Sequence, residues 1–243
     1  RRSAATFKSP ELAELQQKVA AAMLRLEAKQ GEMGTGFGTG EAFAEFKKRH
    51  DALMQPGPAA RPDEIFALHG EYLTAALELI PIVANSSQLT LDPELDTFHM
   101  MNMVVVHGPT QTENTAKLAV LGTLMLRNGV AEPALHNQLV QWSAVQRFLD
   151  GFVEGSYVAG IGSFPEVAKL FDMPGTDDAF DAFMVALKQQ VMGDALRGSP
   201  ESLQALGRTI VDKQNTLNAQ VLERLDMRLQ DRIDGVQRAL ALE

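Results

Sequence analysis

The chain has 243 residues, 45% of them hydrophobic and 22% charged, enough to bury a substantial core in one domain or two small modules. A formal charge of −9 and a pI near 5.1 argue against nucleic acid as a partner, because neutralising phosphates needs clustered Lys and Arg. The absence of cysteine excludes disulfides, thiolate metal sites and a cysteine nucleophile.

Aromatics are only 6%, and Ala, Leu, Gln and Met are plentiful, a mixture that favours helices over sheets. Ser9-Pro10-Glu11 starts a first helix, which carries Leu12, Leu15, Val19, Met23 and Leu26 at helical spacing as far as Gly31 and Gly34. The glycine-rich stretch 31–40 reads as a flexible connection, and 41–54 as a short amphipathic helix on Phe43, Phe46 and Leu53. Three prolines between Pro56 and Pro62 make a linker. The next helix, from about Asp63 to Asn85, carries Ile65, Leu68, Tyr72, Ala76, Leu79 and Val83, with Pro81 expected to kink its last turns.

Residues 89–109 then end one helical pattern and start another. Thr90 or Asp92 can accept hydrogen bonds from the next turn. Pro93 suits the first helical position, and Glu94 and Asp96 lie where the helix dipole favours anions. The spacing predicts a helix from Pro93 to about Asn128, about 50 Å long, bent at Pro109 and ended by Gly129.

The run from Ala84 through Leu89, Asp92, Pro93 and Asp96 to Phe98 resembles a junction of the extracytoplasmic helical sensor domains of bacterial transmembrane receptors, the chemoreceptors and sensor histidine kinases. The resemblance covers about residues 65–109, with His69 where that family often has a histidine and Pro109 where its pattern runs Arg-Leu-Pro. The chain departs from the pattern at Phe98-His99, where a tyrosine pair is expected, at Asn102 for an aspartate, and at His107-Gly108 for Arg-Leu. The resemblance implies an all-α, elongated helical bundle with long membrane-proximal first and last helices. It also implies a periplasmic location, a small-molecule ligand, a homodimeric full-length receptor and output modules outside residues 1–243. On this reading the chain is one sensor region, divisible into two stacked bundle modules. No apolar run of about 18 residues is evident, so membrane attachment is expected through flanking segments.

Further helices are expected at 133–155, 164–171 and 178–193. Ser199-Pro200-Glu201 opens a last one carrying Leu203, Leu206, Ile210, Leu217, Val221, Leu225, Leu229, Ile233, Val236 and Leu240. A stripe of that length is expected to bury itself in a long bundle or coiled coil, with the first helix able to pair antiparallel to it.

Enzyme chemistry finds no motif. The residues three before the five histidines are Lys47, Phe66, Asp96, Val104 and Pro133, so no Glu-x-x-His pair for a di-iron bundle exists. Asp96 and His99 read as a surface pair rather than a chelate. Neither a nucleophile elbow nor a phosphate loop is present, so no catalytic residue, metal or cofactor is expected. A polar stripe of His107, Thr110, Gln111, Asn114 and Lys117 follows the Pro109 bend. With His69 and Tyr72 of the preceding helix it can supply the few donors that hold a small polar ligand in an apolar cleft. The competing reading of the stripe is a solvated helix face, and that of Met100, Met101 and Met103 is core packing. A helical scaffold or adaptor without a small-molecule ligand is the alternative function.

Overall fold

The computed structural model describes residues 10–55 and 61–241, and every regular element among them is helical. The chain divides into two compact units, residues 1–87 and 88–243.

The first unit holds α1 (Pro10–Phe37), α2 (Gly40–Met54) and α3 (Pro62–Ser86). α1 does not stop at the first glycines. Gly31, Gly34 and Gly36 lie inside it, each at a propensity cost of about 1 kcal/mol, and the turn comes at Gly38, whose φ of 63° suits a residue without Cβ. The expected flexible connection is therefore mostly helix. Met23, Phe46, Ala75 and Leu79 form the core, with Tyr72 stacked on Phe46 at 5.2 Å. Ser86 Oγ donates to the carbonyl of Phe37, tying the ends of α3 and α1 together. The expected linker falls largely on 56–60, and the Ser9 cap on residue 9, both outside the described residues. Pro81 lies within α3. Contrary to the sequence expectation, the stretch Glu64–Ser86 is long and apolar enough to cross a membrane by length and composition alone, with 11% of its most apolar window buried.

The second unit begins with Gln88 in the left-handed region (φ 62°) and a 3-10 turn, Leu89–Leu91. It continues through α4 (Leu95–Met101), a π-helical turn (Asn102–His107), α5 (Gly108–Asn128), α6 (Pro133–Tyr157), a second π turn (Val158–Gly162), α7 (Pro165–Ala168), α8 (Met173–Gln190) and α9 (Pro200–Leu240). The helix after the junction starts two residues later than predicted, with Glu94 as its cap residue and Pro93 outside it. Asp92 accepts from the Glu94 N–H (2.9 Å) and from Thr97 Oγ1 (2.6 Å), so it organises the turn from one step further out. The π turn precedes Pro109, which then occupies the first turn of α5, where its missing N–H costs least. Gly129 closes α5 with φ 66°, and Ser199 caps α9 by accepting from the Ser202 N–H.

α5 packs against α6 and α9, and α8 against α9. Two apolar clusters result. One gathers Leu118, Met125, Leu139, Phe183, Leu187, Leu203 and Ile210; the other gathers Met100, Met101, Met103, Val153, Ile161, Leu217, Val221 and Leu225. The three methionines are thus core, as read from the sequence. On α9 the buried positions include Gly207 rather than Leu206, and Gln214 between Ile210 and Leu217. The expected stripe loses its cover toward the C-terminal end. Ile233, Val236 and Leu240 are 48%, 56% and 66% exposed.

Candidate functional site

Between the two apolar clusters all four long helices of the second unit change to polar residues. On α5 these are Gln111, Thr112, Asn114 and Thr115, between Val104 and Leu118. On α6 they are Gln146 and Asp150, between Leu139 and Val153. On α8 they are Thr176 and Asp177, between Met173 and Phe180, and on α9 Gln214, between Ile210 and Leu217. Nearly all are buried, and burial without partners is costly, so the hydrogen bonds matter.

The polar residues of α5 and α6 are joined by a hydrogen-bonded network. Asn114 Nδ2 donates to Gln146 Oε1 and to the Trp142 carbonyl, both at 2.9 Å. Gln146 Nε2 donates to Thr115 Oγ1 (2.8 Å), and Thr115 donates onward to the Gln111 carbonyl (2.9 Å). Gln111 Nε2 donates to Asp150 Oδ1 at 2.8 Å. From Asn114 through Gln146 to Thr115 each side chain donates to the next, an arrangement in which neighbouring bonds polarise one another. The Gln111–Asp150 bond is made by the Gln111 side chain and stands apart from the bond its carbonyl accepts. Asn218 Nδ2 reaches Thr112 Oγ1 (3.3 Å) from α9. Gln214 alone is left over: it is 3% exposed, and neither end of its amide has a partner among the described residues.

Electrostatics set Asp150 apart. Burial, then the charges of Asp177, Glu154 and Asp181, push its carboxyl up to about 7 against the opposing bond from Gln111. Asp177 is pushed up to about 6 by burial and by Glu154, Asp181 and Asp178. Like charges this close, in a partly desolvated site, favour the neutral acid. Among the described residues no group of three or more His, Asp or Glu is placed to hold a metal ion.

The sequence-predicted residues fall in both units. His69 and Tyr72 belong to the first unit. There burial lowers the His69 pKa, and Tyr72 packs on Phe46 and against the His50 ring at 5.7 Å. The other four belong to the second. Gln111 and Asn114 are the α5 side of the hydrogen-bonded layer, so this part of the stripe is not a solvated face. Thr110 is half-buried beside them. His107 stacks on Phe152 of α6 at 4.8 Å, and burial lowers its pKa. Lys117 pairs with Glu113 (2.5 Å) and lies over the Trp142 ring. Asp96 is held by Arg228 (3.0 Å) rather than by His99.

Sequence reasoning missed Gln146, Asp150, Asp177 and Gln214. A signal was present: Leu139, Ser143, Gln146, Asp150 and Val153 follow the 4-3-4-3 spacing of a core-facing stripe, with its middle positions polar.

No family model, curated protein or solved structure matches the chain.

Proposed function

We propose that this chain is the periplasmic sensor region of a bacterial inner-membrane signalling receptor, a chemoreceptor or sensor kinase. It binds a small polar molecule and signals by helix displacement rather than by catalysis. The observation that carries the reading is the buried polar layer joining α5 to α6. Purely apolar packing is nondirectional, whereas paired amides and carboxyls have discrete partners, so a shift of α6 along α5 exchanges one set of bonds for another. A ligand with unequal affinity for two such arrangements moves the population between them. The unpartnered Gln214 amide supplies spare donor and acceptor capacity at that level. The junction resemblance, carried by the run 84–98 within about 65–109, supports the receptor assignment, with a homodimer and separate output modules in the full-length protein.

Thermal-shift screening of amino acids, organic acids, purines and aromatic acids tests it. A ligand at 100 times its dissociation constant stabilises the folded state by about 2.7 kcal/mol. For a domain of this size each kcal/mol is worth about 2–4 °C. A compound whose shift disappears in Asn114→Ala and His107→Ala places binding at the layer. A broad screen without any shift removes the sensor reading in favour of a helical scaffold. The exposed Ile233, Val236 and Leu240 on α9 favour that second reading, since they offer an apolar stripe to a partner protein.

A further inference from the structure

A groove of about 250 Å³ runs between α5 and α9, apart from the polar layer. It exists because the two helices approach closely at Gly207, where an added methyl group would stand 2.4 Å from Ala119 Cβ. The seam carries only Gly207, Ala116 and Ala119, too small to fill the space lined by Val120 and Leu124. One end has the opposite character. Arg127 and Arg208 both line it, in a chain whose formal charge is −9. Arg127 donates to Gln204 Oε1 at 2.9 Å, and its charge reaches Glu201.

Thr123 supplies an independent sign of a ligand. Thr112 and Thr115 of the same helix donate their hydroxyls to the carbonyl four residues earlier, at 3.0 and 2.9 Å, a common resting bond of a helical threonine. Thr123 makes no such bond. It is 5% exposed, its Oγ1 has no partner among the described residues, and it lines the groove one turn before Arg127.

We propose that this groove binds an aliphatic monocarboxylate, its chain laid along Ala116, Val120 and Leu124 and its carboxylate held between Arg127, Arg208 and the Thr123 hydroxyl. Guanidinium groups pair with carboxylates in charge-assisted hydrogen bonds, and the Thr123 hydroxyl, sealed in the groove wall without a partner among the described residues, gains one when its side chain turns toward the head group. The stretch of α5 from Ala116 to Arg127 rises about 16 Å, room for an extended chain of roughly six to ten carbons. The groove is a second seat, distinct from the polar layer at which the sensor reading places its ligand, and it rests on that reading only for the signalling consequence.

Isothermal titration of the intact chain with hexanoate, octanoate and their primary amides tests it. Octanoate binds more tightly than hexanoate, by about fourfold for each added methylene, and the amides bind at least about tenfold more weakly than the acids. Arg208→Met weakens octanoate by about tenfold or more. Thr123→Val, which removes a hydroxyl without a partner among the described residues and so spares the fold, weakens it several-fold. Lys169→Ala, in an exposed pair with Glu166 away from the groove, leaves it unchanged. Equal octanoate affinity in the wild type, Arg208→Met and Thr123→Val overturns the groove as the seat, and equal affinity for acid and amide overturns the ligand class. If neither acid binds but a different metabolite stabilises the protein, the groove proposal falls and the sensor reading stands. If no compound of any class binds, both fall.

Discussion

Asp92 and Arg232, 140 residues apart, form a two-pronged ion pair with Nη2–Oδ2 at 2.5 Å and Nη1–Oδ1 at 3.1 Å, joining the junction before α4 to the distal part of α9. The Asp92 side chain is 4% exposed. Burial alone would raise its pKa, but the bonds from Arg232, Thr97 and the Glu94 N–H outweigh burial and bring it down to about 2. A residue that reads as a helix cap is therefore also the anchor holding α9 to α4.

Removing that anchor has a larger effect than losing a cap, which costs about 0.5–2 kcal/mol. Asp92→Ala should cost about 2–3 kcal/mol in urea unfolding, since it also leaves Arg232 and Thr97 without their acceptor. A double-mutant cycle with Arg232→Ala should show a coupling above about 1 kcal/mol. The folded pKa is depressed, so the carboxylate's contribution is fully present above the unfolded value near 4 and is lost as pH falls toward about 2. A cycle with coupling near zero at pH 7 would show that the two residues are neighbours without being an anchor.

Asp150 has the opposite sign. Its folded pKa, about 7, lies above the unfolded value, so between about pH 4 and 7 the folded protein keeps a proton that the unfolded chain releases. Stability contributed by this group is present at low pH and falls as pH rises through that window, with Asp177, at about 6, acting in the same direction. Asp150→Asn retains an oxygen for the Gln111 amide and removes the charge. After allowance for solvent screening the gain at pH 8 should be about 1–2 kcal/mol, and close to none at pH 4.5. Thermal melts of both proteins at the two pH values decide it. A gain of the same size at both would mean that packing, not charge, is responsible.

The helices were legible because apolar residues recur every three or four positions and because Pro and Ser stand at α6 and α9 starts. The α5 half of the polar layer was legible for the same reason, with Gln111 and Asn114 following Pro109 at helical spacing. Its other half was not, because isolated polar residues such as Gln146 and Asp150 on an amphipathic helix look like solvent contacts until the facing helix is known. Gln214 escaped because Ile210 and Leu217 are themselves seven residues apart and bridge the stripe without it. The π turns have no local signature. They arise where α4 and α6 meet their neighbours, with Gly160 lying so close to His99 that a Cβ there would stand 2.6 Å from His99 Cβ.

Glycine in this chain has two meanings that the sequence cannot separate and mutagenesis can. Gly31 lies mid-helix in α1 with open space where a Cβ would go, so Gly31→Ala should stabilise by about 0.5–1 kcal/mol by lowering the entropy of the unfolded chain. Gly207 lies at the α5–α9 seam, where the same methyl group meets Ala119 Cβ at 2.4 Å and both backbones must part. Gly207→Ala gains the same unfolded-state term and should still lose overall, by about 1–3 kcal/mol, because forcing volume into a packed contact costs that much. Pairing it with Ala119→Gly removes the clash and should recover most of the loss. Urea unfolding of the four proteins separates the effects. A neutral Gly207→Ala would mean that α5 and α9 are free to separate at this point, and that the seam does not hold the groove at its present width.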